Sequence, residues 1–231
     1  MIMNSIRDIL YEDNHLIIVN KRVGDIVQGD KTGDAPLSQL IAGFIAIRDQ
    51  KPGDAFIGVV HRLDRPVTGA ALFAKTSKGL ERMNEMFRNG EVKKTYWAIV
   101  SNLPPQNEGM LTHYLIRNEK QNKSYAYPSS KKGSKEAKMT YRVVASGDNY
   151  HLLEVELLTG RHHQIRCQLA AIGSPIKGDL KYGAARSNKD GGISLHARSI
   201  KFIHPVKKTE VFVVAPVPED KLWLFFAKAI S

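Results

Sequence analysis

The stretch of this sequence best suited to chemistry is HRLDRP, at residues 61–66, where one carboxylate lies between two guanidinium groups. Asp64 has Arg62 and Arg65 on either side, and the Pro and Gly residues that follow predict a turn at the end of a strand. A carboxylate on such a loop is accessible to a ligand. The alternative for these residues is an ordinary surface ion pair, which contributes little to stability.

Several other kinds of active site are excluded by the sequence. Leu63 interrupts a kinase-type His-Arg-Asp motif, and neither a Gly-rich phosphate loop nor a Gly-x-Ser-x-Gly motif is present. His162 and His163 are adjacent, so on a helix they would point about 100° apart and could not share a metal ion. Cys167 is the single cysteine, which excludes a disulfide scaffold and a multi-cysteine zinc site. We therefore predict no metal.

Positive charge is concentrated in two segments of the 231-residue chain, whose net charge is +11. Residues 117–142 contain eight cations against two anions, and residues 186–208 contain six cations against one anion. Four tyrosines lie in or beside the first segment: Tyr114, Tyr125, Tyr127 and Tyr141. This mixture is suited to phosphate contacts and base stacking, as in a nucleic-acid interface. The alternative is a solvated loop whose lysines only keep the surface polar.

A second motif, TGRHHQIR at residues 159–166, places cations and amide donors at the predicted start of a helix. Helix starts attract anions, so Arg161 and Arg166 are candidates to hold a phosphate or a carboxylate. Because these arginines are five residues apart, they need not lie on the same side of the helix. One could contact RNA while the other holds Asp64.

Hydrophobic periodicity predicts the elements that must position these motifs. Helical spacing occurs in four segments: 36–48, 77–89, 161–173 and 219–230. Strand patterns occur at 9–20 as a hairpin, and at 58–64, 69–75, 94–101, 138–146, 150–158, 197–205 and 209–216. We therefore predict one α+β domain over residues 1–231, with a mixed, mostly antiparallel sheet flanked by helices.

The motifs, taken in order, resemble the RluA-type RNA pseudouridine synthase family. Four blocks follow the family's order: HRLD with Thr68-Gly69, then Lys94-Thr95-Tyr96, then TGRHHQIR, then Gly178-Asp179 with Tyr182. The similarity extends over nearly the whole chain and implies the pseudouridine synthase catalytic fold. Because the opening ILYEDNHLIIVNK lies close to Met1, the small N-terminal RNA-binding domain of many relatives is expected to be absent.

The resemblance implies catalytic roles for three residues. Asp64 would be the essential carboxylate that breaks the uridine glycosidic bond, either as a nucleophile or through a glycal route. Tyr96 would stack on the target base, and Arg166 would pair with Asp64 and keep it ionised. Turning a uridine out of folded RNA costs a few kcal/mol, and Arg62 is the family's candidate to fill the gap. No cofactor is implied, because nothing is hydrolysed, oxidised or phosphorylated.

RNA contacts are predicted from both the resemblance and the charge pattern. The predicted contact residues are Arg62, Arg65, Lys94, Arg161, His163, Gln164, Lys131, Lys132 and Lys135. The expected partner is ribosomal or transfer RNA, and DNA is disfavoured because the sequence has no helix-turn-helix or zinc-finger pattern. We expect a cytoplasmic monomer without a membrane segment.

The predicted activity is therefore isomerisation of uridine to pseudouridine at specific sites in structured RNA. The alternative is a catalytically idle RNA-binding or ribosome-assembly factor with the same fold. Departures from the family pattern at Arg22, His162 and Gln168 leave the substrate subgroup open.

Overall fold

The computed structural model describes residues 8–29 and 33–230, which form eleven strands and four α-helices. The strands are β1 (Ile9–Glu12), β2 (Leu16–Lys21), β3 (Gly58–Val59), β4 (Thr68–Ala74), β5 (Lys93–Val100), β6 (Glu108–Asn118), β7 (Lys123–Tyr127), β8 (Lys135–Ser146), β9 (His151–Leu157), β10 (Leu195–Ile203) and β11 (Glu210–Val214). The helices are α1 (Leu37–Arg48), α2 (Ser77–Arg88), α3 (Gln164–Ala171) and α4 (Lys221–Ala229). In the described part of the chain, no helix has the length and apolar character needed to cross a membrane.

All four predicted helices are confirmed, and their ends have local causes. α2 follows Thr76, whose Oγ1 accepts a hydrogen bond from the Gly79 N–H at 3.0 Å. α4 follows Asp220, whose Oδ1 accepts the Leu222 N–H at 2.9 Å. Such caps satisfy N–H groups that have no partner within the first helical turn. At the other end, Gly90 follows α2 with φ of +72°, a conformation that favours glycine.

The described residues up to Lys93, together with Ala197–Pro216, form one compact unit. Its strands follow the order β1-β2-β4-β10, with β3 paired to β4 and β11 paired to β10. The apolar side of α2 packs on this sheet, where Met83 joins a core with fully buried Leu72 and Ile200. Hydrophobic burial of this kind is what fixes an amphipathic helix on a sheet.

The turn after Asp64 ends at Gly69, where the backbone conformation and the surrounding space require a glycine. Its φ is +110°, and a Cβ built on it would lie 2.3 Å from the carbonyl oxygen of Ala197. Any side chain at this position would therefore collide with the β10 backbone. The glycine lets β4 start directly beside β10.

Residues Lys94–His196 and Val217–Ser231 form the second compact unit. Its strands follow the order β5-β9-β8-β6-β7, and each neighbouring pair is antiparallel. Cys167 of α3 packs against Leu115 and Ala137 on one face of this sheet. α4 packs on the other face, where Trp223 and Phe226 join a cluster containing Trp97, Ile99 and Leu152. The α+β class and the mostly antiparallel sheet are therefore confirmed; the single-domain boundaries stay a prediction.

Two strands of the second unit were missed from the sequence. β6 and β7 pair with each other, and β6 also pairs with β8, so most of the basic segment 117–142 belongs to sheet structure. The sequence of β7, KSYAY, has only five residues and no apolar residue larger than alanine apart from its two tyrosines, so its pattern is too short to identify a strand. Pairing with β6 decides its conformation instead. Within this segment, the connections at residues 119–122 and 128–134 lie outside the strands.

Asp13 links the tip of the β1–β2 hairpin to a neighbouring turn of the same unit. Its Oδ1 accepts the N–H groups of His15 and Leu16, both at 2.8 Å. Its Oδ2 accepts the Tyr11 hydroxyl and pairs with Lys207 Nζ, both at 2.9 Å. Burial raises the pKa of Asp13, but these donors outweigh burial and hold the pKa well below its usual value.

This arrangement predicts acid sensitivity. A carboxylate with a depressed folded-state pKa stabilises the fold above the unfolded pKa of about 4, and this contribution is lost as the pH falls further. Buried His204, whose Nε2 lies 2.9 Å from Asp13 Oδ2, also makes the fold less stable as the pH falls, because burial lowers its pKa. We expect Asp13→Ala to lower the free energy of unfolding at pH 7 by about 2–4 kcal/mol. Denaturant titrations from pH 7 to 3 check this; equal losses for Asp13→Ala and exposed Asp148→Ala would contradict it.

Candidate active site

Asp64 lies in the loop that connects β3 to β4, in the first unit. The prediction that HRLD closes a strand is wrong, because β3 contains only Gly58 and Val59. Buried Leu63 and Val67 anchor the loop on either side of Asp64, which is itself partly exposed. The carbonyl oxygen of Asp64 accepts the Val67 N–H at 3.0 Å and closes a tight turn. The carboxylate therefore sits on a short loop with both ends fixed.

A buried lysine that sequence reasoning missed supports this loop. Lys21, at the end of β2, is 1% exposed, and its Nζ donates to the carbonyl oxygens of Arg22 (2.9 Å), Arg65 (3.0 Å) and Val67 (2.6 Å). Burial lowers its pKa to about 8, while Asp64 is among the nearby acids that oppose this shift. Lys21 is thus still largely protonated at pH 7 and holds the turn that follows Asp64.

The two arginines that flank Asp64 have different environments. Arg62 is exposed to solvent. Arg65 is partly exposed, and its Nη1 lies 2.7 Å from an Asp34 carboxylate oxygen. Both side chains lie at the surface of the loop, where an anionic polymer can reach them. Their predicted RNA contacts stay predictions.

Arg166 has a buried partner in the second unit. Its Nε and Nη2 donate to the two carboxylate oxygens of Asp179 at 2.6 and 2.9 Å, and the side chains are 6% and 1% exposed. Its guanidinium carbon also lies 5.1 Å from the centre of the Tyr182 ring. A two-point pair of this kind fixes the plane of the guanidinium. The predicted pair between Arg166 and Asp64 stays a prediction.

Tyr96 lies on β5 and is 6% exposed. It pairs with Val155, which in turn pairs with Tyr141, so their side chains share one sheet face. The alternation along β8 places Ala137, which packs against α3, on this same face. The structure therefore brings Tyr96 to the side of the sheet that carries α3.

Lys94, two residues before Tyr96, belongs to the same face. Burial lowers its pKa. A Cβ built on Gly160 would lie 3.9 Å from Lys94 Nζ, so this ammonium lies beside the TGRHHQIR motif. The second unit thus places Lys94 next to the segment that precedes α3, and Tyr96 on the sheet face that carries α3.

The side chain of Gln164 forms hydrogen bonds that hold this segment in place. It is 3% exposed, and its Oε1 accepts the Thr159 hydroxyl at 2.8 Å and the Arg161 N–H at 3.0 Å. Its Nε2 donates to the Lys138 carbonyl oxygen at 3.0 Å. Arg161 itself is exposed, and its Nε donates to the Glu136 carbonyl oxygen at 2.9 Å. Gln164 therefore holds the loop, whereas Arg161 remains at the surface for a ligand.

His163 is 8% exposed and adopts a left-handed backbone conformation with φ of +54°. Its Nδ1 lies 2.9 Å from the Tyr182 hydroxyl, which accepts the Ser124 N–H at 2.8 Å. The Tyr182 hydroxyl therefore bridges the His163 ring and the β7 backbone. Burial, reinforced by the positive charge of Arg166, lowers the pKa of His163 to about 2. His163 is thus a neutral, internally bonded group at pH 7, and its predicted RNA contact stays a prediction.

The three lysines of the basic cluster lie on or beside the β7–β8 connection. Lys131, Lys132 and Lys135 are all exposed. The connection is compact, because Ser134 Oγ accepts the Lys131 N–H at 2.9 Å and donates to the Lys131 carbonyl oxygen at 2.6 Å. These cations are therefore displayed on an ordered turn.

Comparison with solved structures identifies the class of fold. Human RNA Pseudouridylate Synthase Domain Containing 4 superimposes with a TM-score of 0.80, at 22% sequence identity, covering 99% of this chain and 95% of that one. Human RNA Pseudouridylate Synthase Domain Containing 1 gives a TM-score of 0.69 at 21% identity, with 97% and 95% coverage. The fold is therefore that of the pseudouridine synthases, as predicted.

Sequence comparison then assigns the family. Residues 15–171 match the family model described as RNA pseudouridylate synthase. An uncharacterized RNA pseudouridine synthase of Synechocystis is 33% identical, covering 96% of this chain and 70% of the relative. The ribosomal large subunit pseudouridine synthase C of Buchnera aphidicola from Acyrthosiphon pisum is 32% identical, with 94% and 69% coverage. This chain belongs to the RNA pseudouridylate synthase family, whose members are isomerases that convert uridine to pseudouridine in RNA.

Proposed function

We propose that this protein isomerises uridine to pseudouridine at one or a few positions in structured ribosomal or transfer RNA, with Asp64 as the essential carboxylate. The observation that carries the proposal is the Asp64 loop, which Lys21 holds through the carbonyl oxygens of Arg65 and Val67. A fixed carboxylate beside exposed Arg62 suits attack within a polyanionic substrate. The Buchnera relative is named as a ribosomal large subunit enzyme, which favours ribosomal RNA over transfer RNA as the substrate.

The proposed chemistry balances without a cofactor. The bond between uracil N1 and ribose C1′ breaks, and the electron-poor C1′ is either trapped by the Asp64 carboxylate or loses a neighbouring proton to give a glycal. The uracil turns and forms a new bond from C5 to C1′. As this bond forms, the bond from C1′ to the Asp64 carboxylate breaks or, on the glycal route, C2′ regains the proton that it lost. The proton on C5 is lost, and N1 ends with a proton, so the product has the mass of the substrate. Because no water is added, the second carboxylate of a glycosidase is unnecessary.

Tyr96 and Arg166 supply positioning in this proposal. An aromatic ring at Tyr96 would stack on the uracil while it turns, which keeps the detached base in the site. Arg166, whose guanidinium plane is fixed by Asp179, would present a positive charge to the reacting carboxylate. Lys94 and Arg161 would contact phosphates near the target.

The decisive experiment maps pseudouridine in total RNA incubated with and without the purified protein. We expect new, mass-neutral uridine modifications at discrete positions in ribosomal or transfer RNA. RNA binding without any new pseudouridine would contradict the proposal and support the idle-factor alternative. Product in both RNA classes at many unrelated positions would contradict the site specificity.

We also expect RNA binding to weaken steeply with salt. Each neutralised phosphate contributes a slope of roughly 0.7–0.9 log units of affinity per log unit of salt. Charge reversal of the exposed cluster, Lys131→Glu, Lys132→Glu and Lys135→Glu, should flatten this slope by about two to three such contributions. Filter binding between 50 and 300 mM salt measures the slope.

The matched control reverses three exposed lysines outside the cluster, Lys51→Glu, Lys78→Glu and Lys221→Glu, and so has the same net charge. This control should keep most of the original slope. Equal flattening in both triple variants would show that net charge, and not the cluster, determines binding.

A further inference from the structure

The basic segment carries an aromatic surface that the proposed chemistry does not use. In the register of β6 and β7, Tyr114 lies directly opposite Tyr127, and Ile116 lies directly opposite Tyr125. Side chains of directly paired residues point to the same face of a sheet. These four residues, which we call the tyrosine face, therefore form a single patch two strands wide.

The tyrosine face is on the opposite side of the sheet from α3. The intervening residues of the two strands, Leu115 and Ala126, pack with the α3 residues Cys167 and Ala170. Because successive side chains alternate across a strand, the tyrosines point away from α3. The tyrosine face is thus separate from the face that carries Tyr96.

The rings are available to a ligand. Tyr125 is 37% exposed, and the other three members of the tyrosine face are partly exposed. α4 covers a different part of this side of the sheet, around Trp97 on β5. Since β7 is the last strand in the order of this unit, the rings also lie at a sheet edge.

Cations accompany the rings. Lys131 Nζ lies 3.8 Å from the centre of the Tyr127 ring, and Lys123 Nζ lies 5.4 Å from the centre of the Tyr125 ring. Lysines on an edge strand can serve only to prevent aggregation, but that role does not require exposed aromatic rings. Rings that stack on bases, next to ammonium groups that bind phosphates, are the two components of a surface for single-stranded nucleic acid.

We propose that the tyrosine face is a second RNA-contact surface, on which unpaired bases stack on Tyr125 and Tyr127 while Lys131 and Lys132 neutralise phosphates. The inference rests on RNA being the substrate of this family and adds a second recognition surface to the proposed function. The charge of the segment favours RNA over a protein partner, because eight cations against two anions complement a polyanion.

The location of this surface limits which RNA can use it. Four inter-strand spacings separate β5, which carries Tyr96, from β7, a distance of about 19 Å along the sheet. The RNA must also pass around the β7 edge to the other side. Only a substrate with an unpaired segment well beyond the target uridine can therefore contact both surfaces, and a minimal stem-loop cannot.

The test is the double variant Tyr125→Ala with Tyr127→Ala, measured on an RNA with a long unpaired flank and on the stem-loop alone. Loss of one stacked base weakens binding by a factor of roughly 5 to 150. We expect the affinity for the flanked RNA to fall at least about tenfold, with no change for the stem-loop. The turnover rate at saturating RNA should be unchanged, because neither tyrosine belongs to the active site.

Two further variants separate stacking from folding. Tyr125→Phe with Tyr127→Phe keeps the rings and should bind like the original protein. Phe212→Ala removes another exposed strand ring, which has Lys201 5.9 Å from its centre, and should leave RNA binding unchanged. Should the Ala variant fail to fold, the Lys131→Glu, Lys132→Glu variant, which changes only an exposed turn, must weaken binding of the flanked RNA more than binding of the stem-loop.

Binding and product formation are measured separately, so failure of the Asp64 assignment would leave this test valid. Photo-crosslinking of a 4-thiouridine-labelled flank should identify peptides containing Tyr125 or Tyr127. Unchanged affinity of a folded double variant for the flanked RNA would overturn the proposal and leave the tyrosine face to a protein partner.

Discussion

Asp64→Asn is expected to abolish pseudouridine formation, lowering the single-turnover rate by at least about a thousandfold, while RNA affinity stays within about threefold. The substitution keeps the size of the side chain but removes the negative charge that traps or stabilises C1′. Because the loop is held by Leu63, Val67 and Lys21, the variant should remain folded. Tritium release from C5-labelled uridine in the target RNA measures the rate, and filter binding measures the affinity.

The matched control is Asp148→Asn, an exposed aspartate of the other unit, which should keep the full rate. A thermal unfolding curve for both variants separates lost chemistry from lost structure. If Asp64→Asn retains more than about a tenth of the rate, the catalytic carboxylate must be another residue.

Much of the fold could be predicted from the sequence because the signals that define its helices are local. Helices α2 and α4 show an apolar side and a capping residue, Thr76 and Asp220, within a single stretch. The β6–β7 hairpin was missed because its pairing is decided by contacts between strands. The tyrosines of that hairpin attracted attention for their composition, but only the register shows that they share one face.

The residues of the candidate site also differ in whether the sequence alone reveals them. Asp64, Tyr96 and Arg166 could be proposed from the sequence because the motifs that contain them are continuous. Lys21 was missed as a supporting residue, since the carbonyl oxygens it binds in the Asp64 loop lie 44 and 46 residues away. Such a buried lysine has no local signature, because two of its three acceptors come from a distant part of the chain.

The Arg166–Asp179 pair leads to the second large prediction. Removing one partner of a buried ion pair leaves the other charge without compensation, which costs about 3–5 kcal/mol. We therefore expect Asp179→Ala to lower the free energy of unfolding by about this amount, whereas exposed Asp148→Ala should change it by less than about 0.5 kcal/mol. Denaturant titrations at pH 7 provide the comparison. A loss below about 1 kcal/mol would show that solvent or another group compensates Arg166.

The double variant Arg166→Met with Asp179→Leu then separates the two roles of Arg166. Replacing both members of a buried pair by apolar side chains is often neutral or stabilising, so most of the lost stability should return. Pseudouridine formation should not return, because the guanidinium that the proposal assigns to the reacting carboxylate is gone. A stable double variant with normal activity would assign Arg166 a purely structural role. A stable and inactive one would show that the reaction needs the charged Arg166–Asp179 pair beyond its contribution to stability.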